Sequence, residues 1–501
     1  MAAEAVKESV LESRMKAVDE AEEQAQAYRK KIIGIVIAFV LLLGLHFSPT
    51  LPGLKPEGQS VLGIFCWFIA CMVTDALPNV IVGLGAPLLV VLLTKAKIPA
   101  AFSAFASDVF FLGVGAFIFA AIMMGTPLGK RVALTIVSAM KTSRVKRILM
   151  GLGLADLAVG GVIPTVSETA LFLPIAKGVG SLMAGKEHLP EVKRINVSLI
   201  ILICGLVPLY SGLLILTSHF PNLILVELLH KAEGVKISWG QWFWLNLPLW
   251  GLLPIMFYFV VWWFKVGDLE IPGAETELPK MKAELGRITF PEIWALICLG
   301  LGLILWIFEP YKIQAGMTAL VVAMLMFLPW SRIEMKAVGK YVLWDTLILL
   351  AGAISLGTSL HSAGAVQWLA QFVVNPLKST GWPAIPVLLI LVAGLHVARA
   401  GIVSAVAMGA MFVPMALGLA KALGYSTLPF TLIVINCLSY AFFLPMSITA
   451  FFIAWGISEE SFWGIVKFGT ILSIISNIYV ILVQTAWLSL IGYPMTKAAG
   501  M

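Results

Sequence analysis

The residues best equipped for chemistry sit where polar groups are expensive. Gly160 to Gly178 reads GGVIPTVSETALFLPIAKG and puts Pro164, Thr165, Ser167, Glu168 and Thr169 in the middle of an apolar region. Backbone crossing lipid cannot leave its N–H and C=O groups unpaired, so a Pro-broken polar turn at membrane depth must line a protein cavity. The stretch reads as the tip of a re-entrant hairpin holding half of a solute site. Two further interruptions follow: Leu216-Thr217-Ser218-His219-Phe220-Pro221-Asn222, and Phe443-Leu444-Pro445-Met446-Ser447-Ile448-Thr449. Proline removes a donor and clashes with the preceding turn, so each helix opens there. Helix N-termini then attract anions, and freed carbonyls can hold a cation.

Ionisable residues inside such segments are functional by default. Arg399 can pair bidentately with a carboxylate or sulfonate; equally, it can form an ion pair with Glu168 or contact freed carbonyls. Glu168 can serve as a sodium ligand or carry a proton. His219 and His396 read as packed histidines, and Asp156 and Lys177, on the two arms of one hairpin, as partners of each other. Asp75 and Asp108 lie at span ends, where capping or loop solvation accounts for them.

Those residues need a frame that spans a membrane, and composition supplies it. The chain has 501 residues, 60% hydrophobic and 12% charged, with a mean hydropathy of +0.97. That is a polytopic membrane protein rather than a soluble domain. Its net charge of +7 is spread over short loops, which excludes a nucleic-acid surface. The five cysteines lack metal or disulfide spacing and read as core filler. Tryptophans near span ends, among them Trp239, Trp242, Trp244, Trp262, Trp263, Trp294 and Trp330, read as an interfacial belt that needs no cofactor.

In chain order, residues 1–31 form a polar helix, 32–58 the first span and its loop, 59–264 a first unit, 265–288 a linker, 289–491 a second unit and 492–501 an external tail. The first unit contains a hairpin at 148–184 and a broken span at 197–229; the second has its hairpin at 383–423 and broken span at 426–457. About eleven transmembrane helices plus two hairpins result. With the N-terminus cytoplasmic, Lys and Arg concentrate on the inner loops, as the positive-inside rule requires. The two units are copies: Asp108-VFFLGVGAFIFAA matches Asp345-TLILLAGAISLGT, and Ala170-LFLPIAKGVG matches Ala410-MFVPMALGLA, about 240 residues apart. Five spans per unit make the second copy inverted, an all-α transporter architecture whose site lies at the midplane.

At this point the chain resembles a known family. Val73-Thr74-Asp75-Ala76-Leu77-Pro78 is similar to a signature of the divalent anion:sodium symporters, the dicarboxylate, citrate and sulfate carriers. The stretch 102–134, Trp344-Asp345-Thr346-Leu347-Ile348, Gly240-Gln241-Trp242 and Leu247-Pro248-Leu249 resemble that family in the same order. The resemblance implies a homodimer in which a scaffold domain holds a transport domain that slides like an elevator. It also implies Ser-Asn-Thr at each hairpin tip, holding sodium and substrate carboxylate. The matching positions are Pro164-Thr165-Val166 and Ser404-Ala405-Val406, and only Ser404 keeps the family residue.

The expected substrate site therefore comprises Thr165, Val166, Ser167, Ser404, Ala405, Thr217, Ser218, Pro221, Asn222, Ser447, Thr449 and Arg399. Glu168, Thr165 and Ser404 are expected to couple an ion, with sodium near Gly161, Thr165 and Ser404. The expectation is a non-enzymatic, cofactor-free secondary carrier of a small organic anion, a di- or tricarboxylate, driven by sodium in a bacterial cytoplasmic membrane. Alternatives are a proton-coupled or exchange carrier of a sulfonate or sulfate, and a cation/proton antiporter using Glu168 or Asp156. An intramembrane enzyme is disfavoured, since no HExxH or complete GxGxxG is present.

Overall fold

A computed structural model describes residues 25–26, 28–161, 163–309, 313–378, 382–399, 402 and 404–496. The polar helix expected over 1–31 and the tail at 492–501 fall largely outside these residues. Among the described residues there is no sheet, only the isolated bridges Arg144 to Glu270 and Tyr425 to Thr496. Eight helices among those residues are long and apolar enough to cross a membrane, or nine described ones if the bent pair Met335–Tyr341 and Trp344–Ser362 forms one span. The protein is all-helical and multi-pass.

Helices α1 (Tyr28–Phe47) and α2 (Pro56–Thr74) are joined by a loop that one side chain organises. Buried Gln59 donates to Leu45 O (2.6 Å) and Ser48 O (3.0 Å) while accepting from Leu51 N (2.7 Å), pairing backbone groups that lipid could not. Next come α3 (Asn79–Thr94), α4 (Asp108–Gly125) and α5 (Leu128–Ala139). Ser107 caps α4, accepting from Phe110 N, and Asp108 accepts from Gly316 N (2.8 Å) at the start of a distant helix. Capping is thus the role of both residues, although for Asp108 the helix capped is another one.

Helices α6 (Val145–Gly160) and α7 (Thr165–Gly180) meet at Gly161–Pro164. Their far ends lie by the same segment: Val145 N donates to Leu269 O (2.9 Å), and a Cβ on Gly178 would stand 3.2 Å from Met281 Cε. Then α8 (Pro190–Leu214), exposed in its first turn and buried from Val197 on, contains a π-helical turn at Ile201–Leu206. The chain opens at 215–219 and resumes as α9 (Phe220–Glu233). Helix α10 (Trp239–Trp263) follows a full capping box in which Ser238 and Gln241 satisfy each other's backbone N–H groups.

The second half runs α11 (Phe290–Phe308), α12 (Ala315–Met326), α13 (Trp344–Ser362), α14 (Ala365–Lys378), α15 (Ala384–Arg399), α16 (Ala405–Leu423), α17 (Thr427–Ser439), α18 (Thr449–Ser458) and α19 (Phe462–Leu490). Irregular backbone from Tyr440 to Ile448 interrupts the α17–α18 span and begins before Phe443, where the sequence pattern placed it.

Repeated positions make repeated contacts. Gly115 of α4 and Gly352 of α13 correspond in the two copies. Gly115 lies against Ala319 of α12, and Gly352 against the backbone of Gly83 in α3. A Cβ on Gly83 would reach Ile348 O at 2.6 Å, so α3 and α13 cross at backbone distance. Small residues permit both crossings.

The tryptophan belt needs correction. Trp244, Trp262 and Trp330 are exposed, but Trp242 is fully buried and Trp239 nearly so. Trp242 donates its Nε1–H to Leu213 O (3.2 Å), one residue before the end of α8. It supports the interrupted span rather than an interface.

Candidate functional site

The opening of α8 begins with Pro208. Its missing N–H frees the carbonyl of Cys204, four residues earlier inside the π-turn, and Thr169 Oγ1 donates to that carbonyl at 2.9 Å. Helix α7 is thereby pinned to the pre-break helix one turn beyond its own tip. At the tip, Thr165 Oγ1 donates to Ser218 O (2.8 Å), and Ser218 Oγ donates in return to Gly160 O. Asn222 Nδ2 donates to Gly212 O (2.8 Å) and Ile215 O (3.1 Å), taking carbonyls that the end of α8 leaves free. First tip and first break are therefore stitched together by side chains.

Each expected residue can now be placed. Thr165, Val166, Ser167 and Glu168 form the first turn of α7; all but Val166 are buried. Gly161 has no neighbour within 4 Å of where a Cβ would stand. Thr217 and Ser218 occupy the short 3₁₀ turn Leu216–Ser218, and Pro221 and Asn222 the first turn of α9. Ser404 caps α16, accepting from Ala407 N (3.2 Å), and Ala405 follows it. Ser447 ends a matching 3₁₀ turn, Pro445–Ser447, and Thr449 opens α18.

The two breaks face each other across α8 and α17. Tyr210, in the last turns of α8, packs its ring 4.6 Å from that of Tyr440 and 6.0 Å from that of Phe442. Helix α18 lies on the π-turn of α8, with Ala454 Cβ 3.0 Å from a Cβ built on Gly205. Helix α16, which Ser404 caps, lies against Pro221 of the first break. Among the described residues no hydrogen bond joins Ser404 to Thr165.

Arg399 is 1% exposed and pairs with no carboxylate among the described residues. Of the readings open to it, contact with freed carbonyls is the observed one. Its Nε donates to Leu438 O (2.8 Å) and its Nη1 to Ile402 O (3.3 Å). Leu438 O is available because Phe442 N, its helical partner-to-be, donates instead to Ser473 Oγ (2.7 Å). The guanidinium keeps further N–H donors beyond these two bonds.

Glu168 does not meet Arg399. Its carboxyl rests against Gly160, one turn along α6 from Asp156, and Ser211 Oγ lies 3.2 and 3.3 Å from its two oxygens. Asp156 is not the partner of Lys177 among the described residues; it sits on the side of α6 toward the first turn of α7 with both oxygens buried and unbonded, whereas Lys177 is three turns further along. Gly160 and Ser211 are the residues that sequence reasoning missed as neighbours of Glu168. The one available signal was Pro208, which forces a local distortion just before Ser211. His396 is a packed histidine, with Nδ1 at 2.7 Å from Val392 O and Nε2 at 3.3 Å from Asn477 Nδ2.

Behind the second break lies a buried amide brace. Asn436 Nδ2 donates to Asn246 Oδ1 (2.8 Å) and Gln484 Oε1 (3.0 Å), tying α17 to α10 and α19. At the breaks themselves, Thr217 Oγ1, His219 Nε2, Asn222 Oδ1 and Ser447 Oγ are buried with no partner among the described residues. Such atoms are costly unless something outside the chain satisfies them.

Interrupted apolar helices that converge on buried, unpartnered polar groups define a membrane transporter rather than an enzyme. The family profile described as the sodium:sulfate symporter transmembrane region matches residues 29–493, and the chain belongs to that family. It is 28% identical over 83% of its length to 84% of a membrane protein of Cupriavidus necator. It is 27% identical to the sodium-dependent dicarboxylate transporter SdcS of Staphylococcus saprophyticus (68% of this chain, 70% of that one). It is 26% identical to the L-tartrate/succinate antiporter of Escherichia coli (79% and 83%).

Proposed function

We propose that this protein is a secondary active carrier of small di- or tricarboxylates, coupled to sodium. The observation that carries the reading is the set of buried polar atoms at the two breaks without partners among the described residues, Thr217 Oγ1, His219 Nε2, Asn222 Oδ1 and Ser447 Oγ, together with the buried cation Arg399. Hydroxyls, half-helix N-termini and a guanidinium are complementary to carboxylate oxygens. Thr217, Ser218, Pro221 and Asn222 on one side, and Ser447, Thr449 and Arg399 on the other, would hold the substrate. Thr165, Val166, Ser167, Ser404 and Ala405 would close over it. Sodium would sit near Gly161, Thr165 and Ser404, where hydroxyl and carbonyl oxygens suit a hard cation.

The repeated crossings at Gly115 and Gly352 support two inverted units of one fold. The shared location of the far ends of α6 and α7 supports a re-entrant hairpin at 148–184, with 383–423 as its counterpart and eleven spans in all. On this reading the hairpins and broken spans travel together against the remaining helices, as an elevator within a homodimer of a bacterial cytoplasmic membrane, N-terminus inside. Names of relatives support the substrate class: one is a sodium-dependent dicarboxylate transporter and another a tartrate/succinate antiporter.

Reconstitution tests it. Proteoliposomes loaded with unlabelled succinate should take up labelled succinate by counterflow, and an inward sodium gradient should drive net accumulation. Absence of counterflow with succinate, tartrate, citrate and sulfate alike would overturn the proposal. Counterflow without sodium-driven accumulation would select exchange.

A further inference from the structure

Helices α6, α8 and α10 leave between them an apolar groove of about 340 Å³. Met150, Leu154 and Leu157 of α6 form one wall, the stretch from Trp250 to Tyr258 of α10 the other, and Leu202 and Val207 of α8 the floor. The sequence of α6 builds this wall: residues 146, 147, 150, 154 and 157 recur at helical spacing on one face, so two cations lead straight into an apolar stripe. Gly153 hollows the middle, because a Cβ there would meet only Val207 Cγ2, at 3.8 Å. Met150, Leu154 and Tyr258 are exposed, and in a membrane transporter apolar side chains open to the outside face acyl chains. From Met150 to Leu157 the groove runs about 10 Å at helical rise, within the ~15 Å depth of one leaflet's hydrocarbon. One acyl chain from a single leaflet fits that length.

One end of the groove is charged. Lys146 reaches across from α6 and sets its Nζ 4.8 Å from the centre of the Tyr258 ring on α10. Lys146 and Arg147 are both exposed, and neither forms an ion pair among the described residues. In the segments bordering this end, Arg144, Lys146, Arg147 and Lys265 outnumber Asp268 and Glu270. Backbone bonds from Val145 N to Leu269 O and from Ile271 N to Ser143 O hold those segments together. The groove thus presents hydrocarbon contact and then positive charge, and a lipid with an anionic headgroup carries the complementary pair in one molecule.

We propose that this groove binds one anionic glycerophospholipid of the bilayer, its acyl chain between α6 and α10 and its phosphate against Lys146 and Arg147. The floor gives occupancy a consequence. Leu202 lies within the π-turn of α8 and Val207 directly follows it, while Cys204 O of the same turn holds Thr169. A seated chain fills the space behind the helix that leads to the first break. The site is independent of which solute the protein carries.

The test uses the full-length protein in a neutral detergent, titrated with phosphatidylglycerol or with phosphatidylcholine of identical acyl chains. Native mass spectrometry counts the lipid retained, and the unfolding midpoint is recorded. Wild type should retain phosphatidylglycerol at least about fivefold better than phosphatidylcholine, the factor that one cation contributes. Its unfolding midpoint should rise with the anionic lipid. Lys146→Gln should cut the preference by about fivefold, whereas Lys130→Gln, which removes an exposed cation in the first turn of α5, should leave it unchanged. Gly153→Leu should fill the slot and abolish the lipid-dependent rise, with its lipid-free midpoint at or above that of wild type. Equal retention of the two lipids by wild type overturns the proposal. So does an equal effect of Lys146→Gln and Lys130→Gln, whether both lower the preference, as diffuse attraction would, or neither does; if Gly153→Leu fails to fold, that comparison alone decides. Disulfide-linked dimers of Leu154→Cys under oxidation, absent from wild type, would overturn it in favour of a second copy of the chain seated in the groove.

Discussion

Thr165 and Ser218 are bound to each other's surroundings in both directions: Thr165 donates to the carbonyl of Ser218 at 2.8 Å, and the Ser218 hydroxyl donates to Gly160 at the other end of the same tip. Tip and break therefore move as one body. Thr165→Val should break one of the two bonds and leave a buried carbonyl unpaired, a loss of about 1–3 kcal/mol. Uptake is expected to fall by about five- to 150-fold, as that energy implies, and Thr165→Ser should restore most of it. Uptake by Thr165→Val at the wild-type rate would free the tip from the break.

Thr217 offers the opposite diagnosis. Its hydroxyl is buried and has no partner among the described residues, so Thr217→Val replaces an unsatisfied group with an isosteric methyl. Stability should be unchanged or slightly raised, while substrate affinity falls by about 1 kcal/mol or more. Thermal unfolding in detergent and the KM for uptake separate the two effects. Ser447→Ala should behave likewise on the second break.

Arg399 serves two purposes that substitution can divide. Arg399→Gln removes the charge and should raise the substrate KM strongly while the protein still inserts; normal uptake would mean that the residue only braces Leu438 and Ile402. Arg399→Lys keeps a charge but loses the planar fork that spans two carbonyls. It should show lower thermal stability with a smaller KM change than Arg399→Gln.

Close packing makes a further prediction at Arg131. Its Nε donates to Glu292 Oε1 at 2.7 Å, and its Nη groups reach the carbonyls of Leu285 and Gly286. Glu292 is fully buried and also completes the capping box of α11. Arg131→Ala leaves that carboxylate with only its capping bonds from Thr289, a loss of about 1.5–3 kcal/mol. A drop in the unfolding midpoint with unaltered KM is expected; a lowered transport affinity would place the pair in the cycle.

Much of the frame was legible in the sequence because the signals were chemical. Pro221 and Pro445 stand in the two interruptions read from the sequence, and the structure opens beside each of them. Asp108 and Asp345 mark equivalent helix starts for the same reason of charge at an N-terminus. What remained illegible was pairing across distance. Nothing in the spacing of Gly160, Glu168 and Ser211 says that they meet, since the turn at Gly161–Pro164 decides which faces of α6 and α7 oppose. Trp242 misled for a related reason: an aromatic at a span end looks interfacial until the neighbouring helix is seen to cover it. Arg399 was recognised as unusual, but the carbonyl it takes is set by Ser473, 74 residues away.

The glycine crossings limit where motion can occur. Helix α13 rests on α3 through Gly352 and Gly83, α4 rests on α12 through Gly115 and Ala319, and Leu347 of α13 reaches within 3.0 Å of a Cβ on Gly113 of α4. A helix seated backbone to backbone cannot slip by even one residue, about 1.5 Å, without driving a side chain into the slot. These four helices are thus locked as a girder. Any stroke that carries cargo through the bilayer must shear along some other seam, and the wet face of that seam is where a blocking molecule would lodge.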